Sequence, residues 1–207
     1  MTRPLLKLAL LALTLSFPAS LQAAEATDSP WSLCRESARQ IELTRDLPPH
    51  LLSAVAVTES GRWYSNHAET LAWPWTVMAE GRGRFLPSKA AAIETVRELQ
   101  ARGISNIDVG CMQINLHHHP EAFESLETAF DPSRNVTYAA DFLVELRREA
   151  RSWTRAVGRY HSREAIRGNK YRAKVFKAWR KERHRANRER QMALQAAREA
   201  RRLGNAS

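Results

Sequence analysis

No stretch of this 207-residue chain is apolar for long enough to cross a bilayer. The longest uncharged, mostly apolar run covers residues 8–17, ten positions where about 20 are needed. Glycine is sparse, at 8 residues, which excludes a collagen-like chain, and a hydrophobic content of 43% excludes general disorder. No internal repeat and no paired metal-ligand motif occur. Net charge is also missing where it would matter for nucleic acid. The chain carries +10, but residues 172–207 hold twelve basic against three acidic residues, and residues 1–26 add one positive charge. Residues 27–171 are therefore neutral, whereas a nucleic-acid-binding domain carries its phosphate-neutralising Lys and Arg on the folded face. No nucleic acid is expected as a partner.

What is present at the start is a secretory leader pattern. Arg3 and Lys7 precede the apolar run, and Ala24-Glu25-Ala26 forms a plausible cleavage site, with the bond after Ala23 as the alternative. No cysteine stands there, which excludes lipid attachment. The expected organisation is a signal peptide over 1–26, a catalytic-sized domain over 27–179, and a basic tail over 180–207. The processed protein is expected to be periplasmic or secreted. In such an oxidising setting Cys34 and Cys111 are either bridged or two buried thiols. A bridge would close a 77-residue loop and contribute about 3–5 kcal/mol.

Helical spacing dominates the body. Helices are expected over 31–43, over LLSAVAVTES to a stop at Ser60-Gly61, over 88–102 with Ser88 as cap, and from Asp131-Pro132 onward. Residues 156–160 and 171–179 read as further short helices, and strand patterns are confined to 71–78 and 108–115. Met192, Leu194 and Leu203 build no continuous apolar stripe, so the tail reads as a solvated helix or a disordered arm. The fold class is mainly α, with a small β element.

One residue breaks its local pattern. Glu59 ends an apolar helix, where the apolar neighbours and the negative end of the helix dipole both disfavour its ionised form. A carboxyl kept protonated near neutral pH can act as a general acid. His117-His118-His119 is read as a polar loop, because adjacent side chains do not converge on one ion; no metal and no cofactor is expected.

Three segments give Glu59 a context: Glu59-Ser60-Gly61, Gly110-Cys111-Met112-Gln113-Ile114-Asn115 and Tyr160-His161-Ser162. In this order, with Asp131-Pro132, Asn135 and Ala140 between them, they resemble the lysozyme-like, soluble-lytic-transglycosylase-type catalytic domain over about residues 34–161. The resemblance implies an α+β lysozyme-like fold whose β element lines a sugar-binding groove. It implies Glu59 as the sole catalytic acid and base, and Ser60 as a residue orienting it. Gly110, Met112 and Gln113 would line the groove, with Gly110 allowing close backbone approach and Met112 forming a soft apolar wall. Tyr160 would hydrogen-bond the catalytic carboxylate. At the following position the family usually has Asn, where this chain has His161. The 50 residues between Glu59 and Gly110 are a long insert, in which Trp63, Tyr64, Trp73 and Trp75 either stack on sugars or cover the core.

The implied activity is cleavage of the MurNAc-β-1,4-GlcNAc bond of peptidoglycan glycan strands with formation of 1,6-anhydro-MurNAc ends. Asp108, the acid nearest the second motif, has no specific case as a nucleophile. The alternatives are a hydrolytic muramidase and a non-catalytic wall-binding assembly protein. An envelope-spanning machine, flagellar or secretory, is a candidate partner. For the basic tail the candidates are an anionic polymer, a membrane surface or an acidic partner.

Overall fold

The computed structural model describes residues 29–205; the leader expected over 1–26 lies outside the described residues. The chain runs α1 (Pro30–Thr44), α2 (Leu51–Ser60), β1 (Gly61–Tyr64), β2 (Glu69–Ala72), β3 (Thr76–Ala79), β4 (Arg82–Phe85) and α3 (Lys89–Ala101). It continues with β5 (Ile107–Val109), β6 (Ile114–Asn115), α4 (Leu126–Ala129), α5 (Pro132–Ala150), α6 (Trp153–His161) and α7 (Ala165–Gly204). This is the mainly α, lysozyme-like α+β arrangement that the residues suggested. Among the described residues no helix is long and apolar enough to cross a membrane.

Two apolar cores organise the molecule. The larger joins α1, α2, α5, α6 and the first turns of α7 through Leu51, Leu52, Val55, Leu143, Val157 and Val175. The smaller packs β3 and β5 against α3 and α4 through Val77, Val109, Val96, Leu99 and Phe130. The disulfide between Cys34 of α1 and Cys111 lies in the larger core, so the two thiols left open by the sequence are bridged.

Local chemistry explains where the helices begin. Ser88 accepts from the Ala91 amide at 3.2 Å, and Asp131 accepts from the Arg134 amide at 2.8 Å with Pro132 in the first turn. Helix α2 is held differently. The buried carboxylate of Glu42 accepts from the amides of His50 and Leu52, each at 2.7 Å, satisfying donors the helix itself leaves free. At its other end α2 stops where the backbone turns extended at Gly61, with ψ of 119°. The φ of Gly61 is −62°, but a Cβ there would stand 2.3 Å from the Val57 carbonyl oxygen.

The strands depart from the sequence reading. The run 71–78 is two strands, because Trp73-Pro74-Trp75 turns the chain between β2 and β3. Strand β2 pairs with β1, antiparallel, with Gly61 opposite Ala72. Strand β3 enters a separate sheet ordered β4-β3-β5-β6. The run 108–115 is likewise two strands joined by a turn, with Gly110 at φ +82° and Gln113 at φ +48°.

The C-terminal stretch also differs. Residues 165–204 form one 40-residue helix, and no break separates 171–179 from the charged segment after it. Past Trp179 it is held to the body by ions instead of an apolar stripe. Glu182 is buried against Arg185, which reaches Glu69 of β2 at 3.2 Å, and Glu189 lies 3.4 Å from Arg185 and 3.7 Å from Arg39 of α1.

Candidate active site

A cleft of about 810 Å³ lies between the four-stranded sheet and α6. Glu59, the last but one residue of α2, enters it together with Asp108 of β5, Gln113, Asn115, Tyr160 and His161. Glu59 is only partly exposed, and protein crowds its carboxyl. Burial raises its pKa from 4.5 to about 7. The hydroxyl of Tyr171 donates to Oε1 at 2.5 Å and pulls in the opposite direction, while the charge of Asp108 adds to the rise and that of Lys174 reduces it. The expected perturbation of Glu59 is therefore present, with burial as its first cause and Asp108 as a contributor.

The tyrosine on the carboxyl is not the one expected. Tyr160 donates its hydroxyl to the Met112 carbonyl at 2.8 Å, and Tyr171 of α7 holds Glu59. The reason is where the helices place the rings. The two stack with centroids 6.3 Å apart, but α7 passes directly against α2, so its ring meets the end of α2 while that of α6 meets the turn after β5. Both phenols are pushed well above their ordinary pKa, burial being the first cause, and stay protonated donors. His161 lines the cleft and stacks on Tyr171 at 4.8 Å; burial lowers its pKa, favouring the neutral ring.

The turn at 110–113 is built from inside. Asn135 is fully buried on the first turns of α5; its Oδ1 accepts from the Met112 amide at 2.9 Å, and its Nδ2 donates to the carbonyls of Val109 and Ala129, each at 3.0 Å. A Cβ on Gly110 would lie 2.4 Å from Asn135 Nδ2, so the close approach that this glycine permits is to Asn135 and not to a ligand. Met112 is wholly buried in the larger core, so it forms no wall of the cleft. Ser60 is buried too. Its hydroxyl lies 2.7 Å from the Cys111 carbonyl and 3.1 Å from that of Ala56, tying the end of α2 to the same turn. Of the second motif, Gln113 and Asn115 face the cleft. Gln113 Nε2 donates to the carbonyls of Gly110 and Thr76, and Asn115 Nδ2 donates to Asp108 Oδ1 at 2.7 Å.

The insert aromatics divide. Trp73 is buried and donates to the Leu86 carbonyl, Trp75 packs against the smaller core, and Tyr64 stacks on Trp31 at 4.4 Å. Trp63 is 62% exposed, yet it lies outside the cleft. Of the histidine run, His118 and His119 line the cleft, and His119 Nδ1 is 2.8 Å from the Tyr138 hydroxyl.

Sequence reasoning missed Tyr171, Asp108 and Lys174 as neighbours of Glu59. Only Asp108 carried a cue, its place two residues before Gly110. A family model described as the transglycosylase SLT domain matches residues 36–182, a span that takes in Tyr171 and Lys174 as well as the three motifs. No curated protein and no solved structure matches the chain.

Proposed function

The chain belongs to the transglycosylase SLT domain family, and from that premise we propose that it is a peptidoglycan lytic transglycosylase with Glu59 as single general acid and base. One observation carries the reading: a partly buried carboxyl lining a large cleft, with its pKa at about 7 and one oxygen fixed by Tyr171. Such a group is protonated in a useful fraction near neutral pH and is still a competent base once it has given its proton away.

In the proposed reaction Glu59 donates its proton to the oxygen linking MurNAc to GlcNAc, and the C1–O bond breaks with oxocarbenium character at C1. The ionised carboxylate then takes the proton of the MurNAc C6 hydroxyl as that oxygen bonds to C1, closing the 1,6-anhydro ring. Glu59 ends protonated again and no water is consumed. Tyr171 orients the carboxyl and stabilises its ionised form, while the charge of Asp108 favours the protonated form, so the two tune one group in opposite directions. The buried Ser60, Gly110, Met112 and Asn135 act as positioning residues behind Gln113 and Asn115. The protein is proposed to act outside the cytoplasm, with local wall opening for an envelope-spanning machine as one setting.

The presence of Asp108 in the same cleft favours one second reading, hydrolysis with a pair of carboxylates. Cleavage of glycan strands in water enriched in heavy oxygen distinguishes the two. The transglycosylase reading expects anhydro ends free of label; label at the new reducing C1 would establish hydrolysis instead.

A further inference from the structure

A second groove, about 630 Å³, lies between α7, the end of α2 and the β1–β2 hairpin. Lys174, Lys177, Lys181, His184 and Arg188 line it from α7, and the exposed indole of Trp63 lines it from the hairpin. The spacing of three, four, three and four residues puts the five basic side chains on one helix face, over about 21 Å. The acidic residues in the groove, Glu69 and Glu182, are already matched by Arg35 and Arg185. Lys174, Lys177, Lys181 and Arg188 form no ion pair among the described residues and are exposed. The groove is thus a track of unmatched cations with a concave, partly apolar floor.

Its position indicates the occupant. The track begins one helical turn after Tyr171, whose hydroxyl holds Glu59, and Val57, two residues before Glu59 on α2, forms part of its lining. Lys174, the first cation of the track, is close enough for its charge to act on Glu59, so the track starts beside the catalytic carboxyl. On the proposed function, on which this inference rests, the muramyl sugar carries a short peptide branch rich in carboxylates. A five-residue branch, fully extended, spans about 17 Å, which the track accommodates. A flat bilayer would not enter a groove walled by a hairpin on one side and a helix on the other. We propose that the Lys174–Arg188 face of α7 binds the acidic peptide stem of the glycan being cleaved, so that this chain selects stem-bearing strands.

The test compares two substrates, intact glycan strands and the same strands stripped of their peptides by an amidase, with the wild-type protein and the Lys177→Glu/Lys181→Glu variant. Both residues are exposed, and unchanged thermal melting verifies the fold. The expected result is a fall of about tenfold in the ratio of kcat/KM on stem-bearing over stripped strands, residing mainly in KM and shrinking at high salt. The Lys177→Gln/Lys181→Gln variant should fall in between. An unchanged ratio overturns the inference, even if retention on whole sacculi weakens; that pattern would assign the track to another anionic wall polymer. Absence of wild-type turnover on both substrates would overturn the underlying reading along with it.

Discussion

Replacing Glu59 by Gln should make the protein more stable, and only above a particular pH. The wild-type carboxyl has its pKa raised from 4.5 to about 7, so between these values the folded state holds a proton that the unfolded chain has released. Stability falls with rising pH wherever the folded state binds more protons, so wild type loses stability from pH 4.5 to about 7 and then levels off. The shift corresponds to about 2–4 kcal/mol of strain in the ionised form. Gln has the shape of the protonated acid, can still accept from Tyr171, and does not titrate. Paired thermal or urea unfolding curves should coincide near pH 4 and separate as pH rises. By pH 8 the variant should be more stable by about 2–4 kcal/mol, roughly 4–16 °C in Tm for a chain of this size. A difference that does not change with pH, or a variant less stable at pH 8, would refute the account of how burial acts on Glu59.

Three further perturbations follow from the same site. Tyr171→Phe removes the hydrogen bond that favours the ionised carboxylate, so the pKa of Glu59 should rise and the alkaline limb of the pH–rate profile should move to higher pH. Asp108→Asn removes a neighbouring negative charge, and the same limb should move to lower pH with activity retained; complete loss of turnover would favour a paired-carboxylate mechanism. Gly110→Ala places a side chain at φ +82° against Asn135 and should destabilise the fold by about 2 kcal/mol or more in urea unfolding.

The parts legible in the sequence are those set by local chemistry. The caps at Ser88 and Asp131-Pro132 mark their helices because a side-chain oxygen three residues from an amide acts within one turn. Glu59 is visible as the polar end of an apolar helix. Its partner is not, since Tyr171 lies 112 residues away and the motif resemblance points to Tyr160 instead. The strands are not legible in the sequence because they have two to four residues, too few for alternation to show. The full length of α7 is not legible either, because the apolar stripe ends near Trp179, whereas the Glu182–Arg185–Glu69 ion network holds the next turns. By their motif Gly110 and Met112 are expected to line the groove and Ser60 to orient Glu59; packing turns all three inward, where they set the turn that presents Gln113.

The most direct measurement is digestion of purified sacculi with wild-type protein and with Glu59→Gln, followed by mass spectrometry of the released muropeptides. The account predicts 1,6-anhydro ends, one water lighter than hydrolytic products, from wild type, and no release by the correctly folded variant. Reducing ends from wild type, or anhydro products from Glu59→Gln at the wild-type rate, would contradict it.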